Sequence, residues 1–164
     1  MEQVLKEYLN LLIPISNRML KKGIKEAVTP VERKYGLSKI HMMYILALEN
    51  KDMTATELSD YLMFDKSNTS RALPYLSENG FITDDRRSEG CRGYKISLTD
   101  TGHEVAKDMN EAMLKFIDKI TSGVPDTHAR DYLDTIERIC VNIDQNNAGT
   151  ITSLKESLGL PHDW

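Results

Sequence analysis

The sequence predicts a mainly α-helical protein with one short β-hairpin set between its helices. Apolar residues recur every three or four positions along most of the chain, the spacing of one face of a 3.6-residue helix. The run FITDD and the alternating run YKISL flank a polar, glycine-containing turn, RRSEGCRG, which is a hairpin pattern with a charged tip. Capping residues, glycines and prolines fall between the periodic stretches, where helices should begin and end.

Val4, Leu5, Tyr8, Leu9, Leu12, Ile15, Met19 and Leu20 mark a long first helix running towards Val28. Proline lacks the amide N–H and its ring clashes with the preceding turn, so Pro14 predicts a kink and Thr29-Pro30 the helix end. Ser38 is the N-cap expected for a second helix, KIHMMYILALEN, broken by Asn50-Lys51-Asp52. A short third helix follows in TATELSDYL, where Thr54 and Glu57, three residues later, form a capping box. Its apolar side is Leu58, Tyr61 and Leu62.

Asp65 is placed to cap a fourth helix, KSNTSRALPYLSEN, stopped by Gly80. Pro74 lies inside it, on the same side as Arg71, so the Ser70 carbonyl that it leaves without a partner should meet water. Thr99 caps a fifth helix from about Asp100 to Ser122, with Val105, Met109, Ala112, Met113, Phe116, Ile117 and Ile120 as its stripe. Gly123 and Pro125 close it. Asp126 opens a sixth helix, in which Tyr132, Leu133, Ile136, Ile139, Cys140 and Ile143 repeat at helical spacing. A polar tail follows, with room for a short helix over Thr150–Leu158.

Composition excludes several classes. The N-terminus MEQVLKEYLN has no basic segment leading into an apolar core, so no secretory signal is expected. The longest apolar run, MMYILAL, is too short to span a bilayer, and a cytoplasmic, membrane-free protein is expected. The two cysteines make no disulfide framework, and the four scattered histidines have no metal-ligand spacing. No phosphate-binding glycine loop, nucleophile elbow or acid/base constellation suggests an enzyme, and no metal or cofactor is expected.

A formal net charge of −4 gives no global sign of nucleic-acid binding, so binding must rest on a few placed cations. From Thr54 to Leu98 six Lys/Arg stand against seven Asp/Glu, and from Thr99 to Asn147 five stand against ten. The second stretch should not lie against DNA.

Two helices joined by a turn and followed by a two-stranded hairpin make the winged helix-turn-helix plan, in which the second helix enters the major groove by its N-terminal end. That helix opens Lys66-Ser67-Asn68-Thr69-Ser70-Arg71, six candidate DNA contacts. Helical period places Ser67, Asn68, Arg71 and Pro74 on one face, and Thr69 with Ala72, Leu73 and Leu76 on the other. Asn reads adenine and Arg reads guanine in a bidentate way, while hydroxyls serve base edges or phosphates. The plainer alternative is that Ser, Asn and Thr gather here because they suit helix starts. On the hairpin, Arg86, Arg87 and Arg92 are the candidate minor-groove contacts; interleaved Asp84, Asp85 and Glu89 also fit a solvated turn.

The blocks LSKIHMMYILAL, TATELSDYL, DKSNTSRALPYLSENGFI and KISLTDTG resemble, in this order, those of the MarR family of transcriptional regulators. The resemblance covers about Leu37 to Gly102 well and the flanking helices loosely. It implies a homodimer binding a pseudo-palindromic double-stranded operator, with the first, fifth and sixth helices forming the dimer interface. The corresponding division is 1–36 as N-terminal dimerisation helix and connector, 37–99 as the winged DNA-binding domain, 100–147 as C-terminal dimerisation helices, and 148–164 as a tail. By position, Ser67, Asn68, Ser70 and Arg71 would face the major groove and Arg92 would be the wing-tip arginine. Family members commonly have Asp two residues before that arginine; this chain has Gly90, so Arg86 or Arg87 could share the task.

The resemblance also implies a small-molecule effector, often aromatic or phenolic, that releases or modulates a repressor. Met42, Met43, Met109 and Met113 could line its pocket, although core packing explains most of them equally well. Cys140 lies in an apolar stripe as a buried small hydrophobe, whereas Cys91, between Gly90 and Arg92, has cations nearby that could lower its pKa. A redox-responsive regulator acting through Cys91, and a winged-helix protein–protein interaction module, are the alternatives to the ligand-responsive repressor.

Overall fold

The computed structural model describes residues 2–83, 94–157 and 159–160. The chain forms two compact units, Met1–Ile117 and Asp118–Trp164. In the first, α1 (Gln3–Tyr35) runs through both Pro14 and Pro30 and so continues past the expected stop at Thr29-Pro30. The physical reason is packing. Val28 and Val31, on either side of Pro30, are 2% and 8% exposed, and burying that turn outweighs the hydrogen bond the proline lacks. Gly36 ends the helix at φ 67, the left-handed conformation that glycine adopts without strain, and the Gly36 and Leu37 amides both reach the Glu32 carbonyl.

Ser38 caps α2 (Lys39–Glu49), and Thr54 caps α3 (Ala55–Tyr61) through a reciprocal box with Glu57. In α4 (Lys66–Glu78) Pro74 is interior and exposed. Asp65 occupies the N-cap position as expected, but its carboxylate caps no amide; its carbonyl instead takes the Asn68 N–H at 2.8 Å.

The wing begins and ends in β1 (Ile82–Thr83) and β2 (Ser97–Leu98), antiparallel with Ile82 opposite Leu98 and Thr83 opposite Ser97. Met53, just after the Asn50-Lys51-Asp52 break and given no role in the sequence reading, bridges Ile96 by two backbone hydrogen bonds of 3.3 and 2.8 Å. The α2–α3 connection thus adds a third, one-residue rung at the base of the sheet.

Thr99 opens α5 (Asp100–Thr121) by accepting the Gly102 N–H at 3.1 Å while donating to the Gly80 carbonyl at 2.7 Å. A Cβ on Gly102 would stand 2.2 Å from the Phe81 carbonyl oxygen, so only glycine lets α5 approach β1 this closely. The TDTG segment is therefore a knot that ties the end of α4, the wing and α5 together.

The core of this unit is built from the end of α1, α2, α3, α4, the sheet and the start of α5, with Tyr44, Met42, Ile45, Leu58, Leu73, Leu76, Ile96 and Val105 almost wholly buried. The α5 stripe enters it and then leaves it: Val105 and Met109 are buried, Ala112 and Met113 are half-buried against it, and Ile117 and Ile120 are exposed. Lys34 bridges Asp108 at 2.6 Å, and Asp108 also accepts from Tyr35 at 2.9 Å, joining the end of α1 to α5.

The second unit contains α6 (Asp126–Ile143) and α7 (Asn147–Ser157). Asn147 Nδ2 donates to the Cys140 carbonyl at 2.8 Å, and Lys155 pairs with Glu137 at 2.7 Å, its side chain 14% exposed. The tail helix thus folds back on α6. Cys140 is half-buried, less than its place in the apolar stripe suggested, because no residue of α6 is fully buried within the chain.

Candidate nucleic-acid interface

The turn between α3 and α4 is made by Met63 in the left-handed region, φ 51, with its side chain 83% exposed. Phe64 then returns its amide to the Ser59 carbonyl at 2.9 Å and packs edge-on against Tyr44, ring centroids 5.8 Å apart. That arrangement sends α4 across the surface with one side sealed and one side open.

Lys66, Ser67, Ser70, Arg71 and Pro74 are exposed and Asn68 is half-buried, so the first two turns of α4 present hydroxyl, amide and guanidinium groups to solvent. Arg71 Nε donates to the Ser67 carbonyl at 3.1 Å, and Ser70 Oγ donates to the same carbonyl at 3.1 Å. The arginine is thereby folded back towards the helix N-terminus instead of extending freely.

Thr69 is the correction. Counted among the candidate DNA contacts, it is 3% exposed and its hydroxyl is spent on Tyr44 at 2.9 Å and Ser59 at 2.7 Å. A buried hydroxyl must be paired inside the protein, and this one is. The other candidates, Arg86, Arg87 and Arg92, lie outside the described residues, as does Cys91. Among the described residues the wing contributes Lys95 at its base, exposed.

Two further contacts steady α4 and were not read from the sequence. Tyr75, in its C-terminal half, donates to the Gly36 carbonyl at 3.0 Å and stacks on His41 with centroids 4.4 Å apart and planes 15° from parallel. His41 in turn completes the cap of α2, its Nδ1 accepting the Ser38 N–H at 3.4 Å. Capping boxes are recognised by Glu or Gln at that position, so a histidine passed unnoticed. Burial holds the His41 imidazole below its ordinary value, in keeping with a ring that accepts rather than donates at Nδ1. Hydrogen bonds from Lys34 and then Tyr35 hold the Asp108 carboxyl below its ordinary range, and Asp108 raises Lys34 in return.

Met42 and Met109 belong to the packed core, with Met113 half-buried against it. No described helix is long and apolar enough to cross a membrane.

The architecture is shared with solved structures. A MarR transcriptional regulator from Methanosarcina mazei Go1 superposes with a TM-score of 0.64 at 25% identity, covering 83% of this chain and 96% of that one. A MarR family protein from Bacillus stearothermophilus does so with a TM-score of 0.70 at 17% identity, over 87% and 98% of the two chains. The chain has the winged helix-turn-helix fold of these MarR-type structures. In sequence it is 23% identical over 118 residues, 71% of this chain and 80% of the other, to the HTH-type transcriptional regulator BilQ of Clostridioides difficile (strain CD3). No protein-family model matches it. A third MarR-type structure, the Mycobacterium tuberculosis protein Rv2887, was solved in complex with DNA; it shares the fold with a TM-score of 0.64 at 15% identity, over 80% of this chain and 96% of that one. The Methanosarcina and Clostridioides relatives are transcriptional regulators.

Proposed function

We propose that the protein is a sequence-specific regulator that binds double-stranded DNA as a homodimer and represses transcription until a small aromatic or phenolic effector releases it. The observation that carries the DNA reading is the division of α4: Ala72, Leu73 and Leu76 are 3%, 0% and 0% exposed, while Ser67, Ser70 and Arg71 are exposed to solvent on the opposite side of the same helix. A helix whose inner side alone is fixed by the core has its outer side available for chemistry. Hydroxyls, one amide and one arginine suit base edges and phosphates.

Dimerisation is supported by each outer element in its own right. The first half of α1 exposes Leu5, Tyr8, Leu11, Leu12, Ile15 and Met19, and α6 exposes Tyr132, Leu133, Ile136, Ile139 and Ile143. Apolar surface of this extent on a water-exposed helix calls for a cover, and a second copy supplies one while giving two recognition helices. On this proposal 1–36 and 100–147 serve dimerisation and 37–99 serves DNA. Two copies would read half-sites one helical turn, about 34 Å, apart. An effector acts by favouring a dimer whose recognition helices no longer match that spacing.

The test is selection of bound duplexes from random DNA, followed by a screen of phenolic and other aromatic acids for release. Recovery of an inverted repeat released by one such compound is the expected result. Recovery of no common sequence would favour the winged-helix protein–protein module instead.

A further inference from the structure

The hydroxyls of Tyr44, Thr69 and Ser59 form a buried line across three helices, and counting their protons fixes its direction. Ser59 Oγ donates to the Ala55 carbonyl at 3.0 Å, an acceptor with no proton to return. A hydroxyl has one proton, so across the 2.7 Å Ser59–Thr69 contact Thr69 is the donor. Thr69 has then used its proton, and across the 2.9 Å Tyr44–Thr69 contact the donor is Tyr44. The order is Tyr44 of α2, Thr69 of α4, Ser59 of α3, Ala55 carbonyl. Tyr44, Ser59 and Thr69 are 0%, 3% and 3% exposed, so water cannot replace a missing link.

We propose that this one-way relay sets the rotation of α4 about its own axis and is therefore a specificity-determining element of the DNA-reading face. Thr69 touches no DNA; it is a positioning residue for Asn68 and Ser70 on either side of it. The apolar contacts of Leu73 and Leu76 are non-directional and tolerate small slippage, whereas hydrogen bonds of this length do not. A turn of about 20° in a helix of roughly 5 Å radius moves its surface atoms by about 2 Å, enough to break a base contact. The proposal rests on the DNA-reading function above.

The experiment measures affinity for the selected operator and for unrelated duplex, with the salt dependence of each. Thr69→Val keeps the side-chain shape but leaves the Tyr44 proton without an acceptor. It should lower the ratio of specific to non-specific affinity about tenfold, with non-specific affinity and its salt slope unchanged. Thr69→Ser should restore the ratio. Tyr44→Phe should be milder than Thr69→Val, because Thr69 still donates to Ser59; a relay running the other way would reverse that order.

If Thr69→Val does not fold, Tyr44→Phe/Thr69→Val, which leaves no orphaned proton, carries the same test. A wild type with a clear specific preference that Thr69→Val retains in full overturns the relay alone. A wild type with no such preference overturns the DNA reading and the relay with it.

Discussion

Helices α4 and α6 are both amphipathic, yet their apolar faces have opposite fates. In α4 the apolar residues Ala72, Leu73 and Leu76 are buried in the core, and Thr69 beside them is held by hydrogen bonds. In α6 no residue is buried, and Ile139 and Ile143 are 44% and 77% exposed. The first half of α1 is like α6: Val4 is 75% exposed, while Val28 in the same helix is 2% exposed. The same residue type along one helix is thus finished at one end and uncovered at the other. Among the described residues the core around α4 closes within one chain, whereas the outer helices keep apolar faces that, on the proposed function, a second copy covers.

The largest effects should follow this division. Leu73→Ala empties a fully buried site and should cost about 2–5 kcal/mol in urea unfolding. Ile136→Glu, on α6, should leave the winged core folded but shift the protein towards monomer in light scattering. For the wild type, the melting temperature should rise with protein concentration, as association of folded chains requires. A concentration-independent melt with Ile136→Glu unchanged in mass would break the comparison.

A smaller effect is expected at the knot between wing and α5. Thr99→Ala removes both the cap on Gly102 and the bond to Gly80, at a cost of about 1 kcal/mol measured by urea.

The smallest concerns pH. His41 is held below its ordinary value of 6.5 by burial, so the folded state prefers the neutral ring. The stability it contributes is fully present above that value and is lost as pH falls through it. Glu57, held low chiefly by the Thr54 backbone N–H, and Asp108, held low chiefly by Lys34, lose their contributions only further down, below their ordinary 4.5 and 3.8. Between about pH 7.5 and 5.5 the wild-type melting temperature should therefore fall more than that of His41→Gln, which offers Ser38 an acceptor that does not titrate. Parallel slopes would remove His41 from the account.

Much of this was legible in the residues themselves. The Thr54–Glu57 box, the Thr99 cap and the helical periods mark elements locally, and the structure has them where the pattern put them. The end of α1 was misplaced because a proline's local cost was set against nothing, when burial of Val28 and Val31 decides it. Thr69 was grouped with its polar neighbours by residue type, although its helical period already set it on the core side. The signal that could have explained it was Tyr44, a tyrosine at a core position whose hydroxyl needs a buried partner. Met53 and the Tyr75–Gly36 contact join residues far apart in sequence, and no local pattern announces them.

The central claim is that the outer side of α4 reads DNA, and it is tested most directly by comparing Arg71→Ala with wild type on the selected operator. Arg71 is exposed and outside the core, so its loss should leave folding unchanged. Specific binding should weaken by about 1–3 kcal/mol, the scale of one bidentate base contact, with non-specific binding much less affected. Equal affinity of Arg71→Ala and wild type for the operator would contradict the claim.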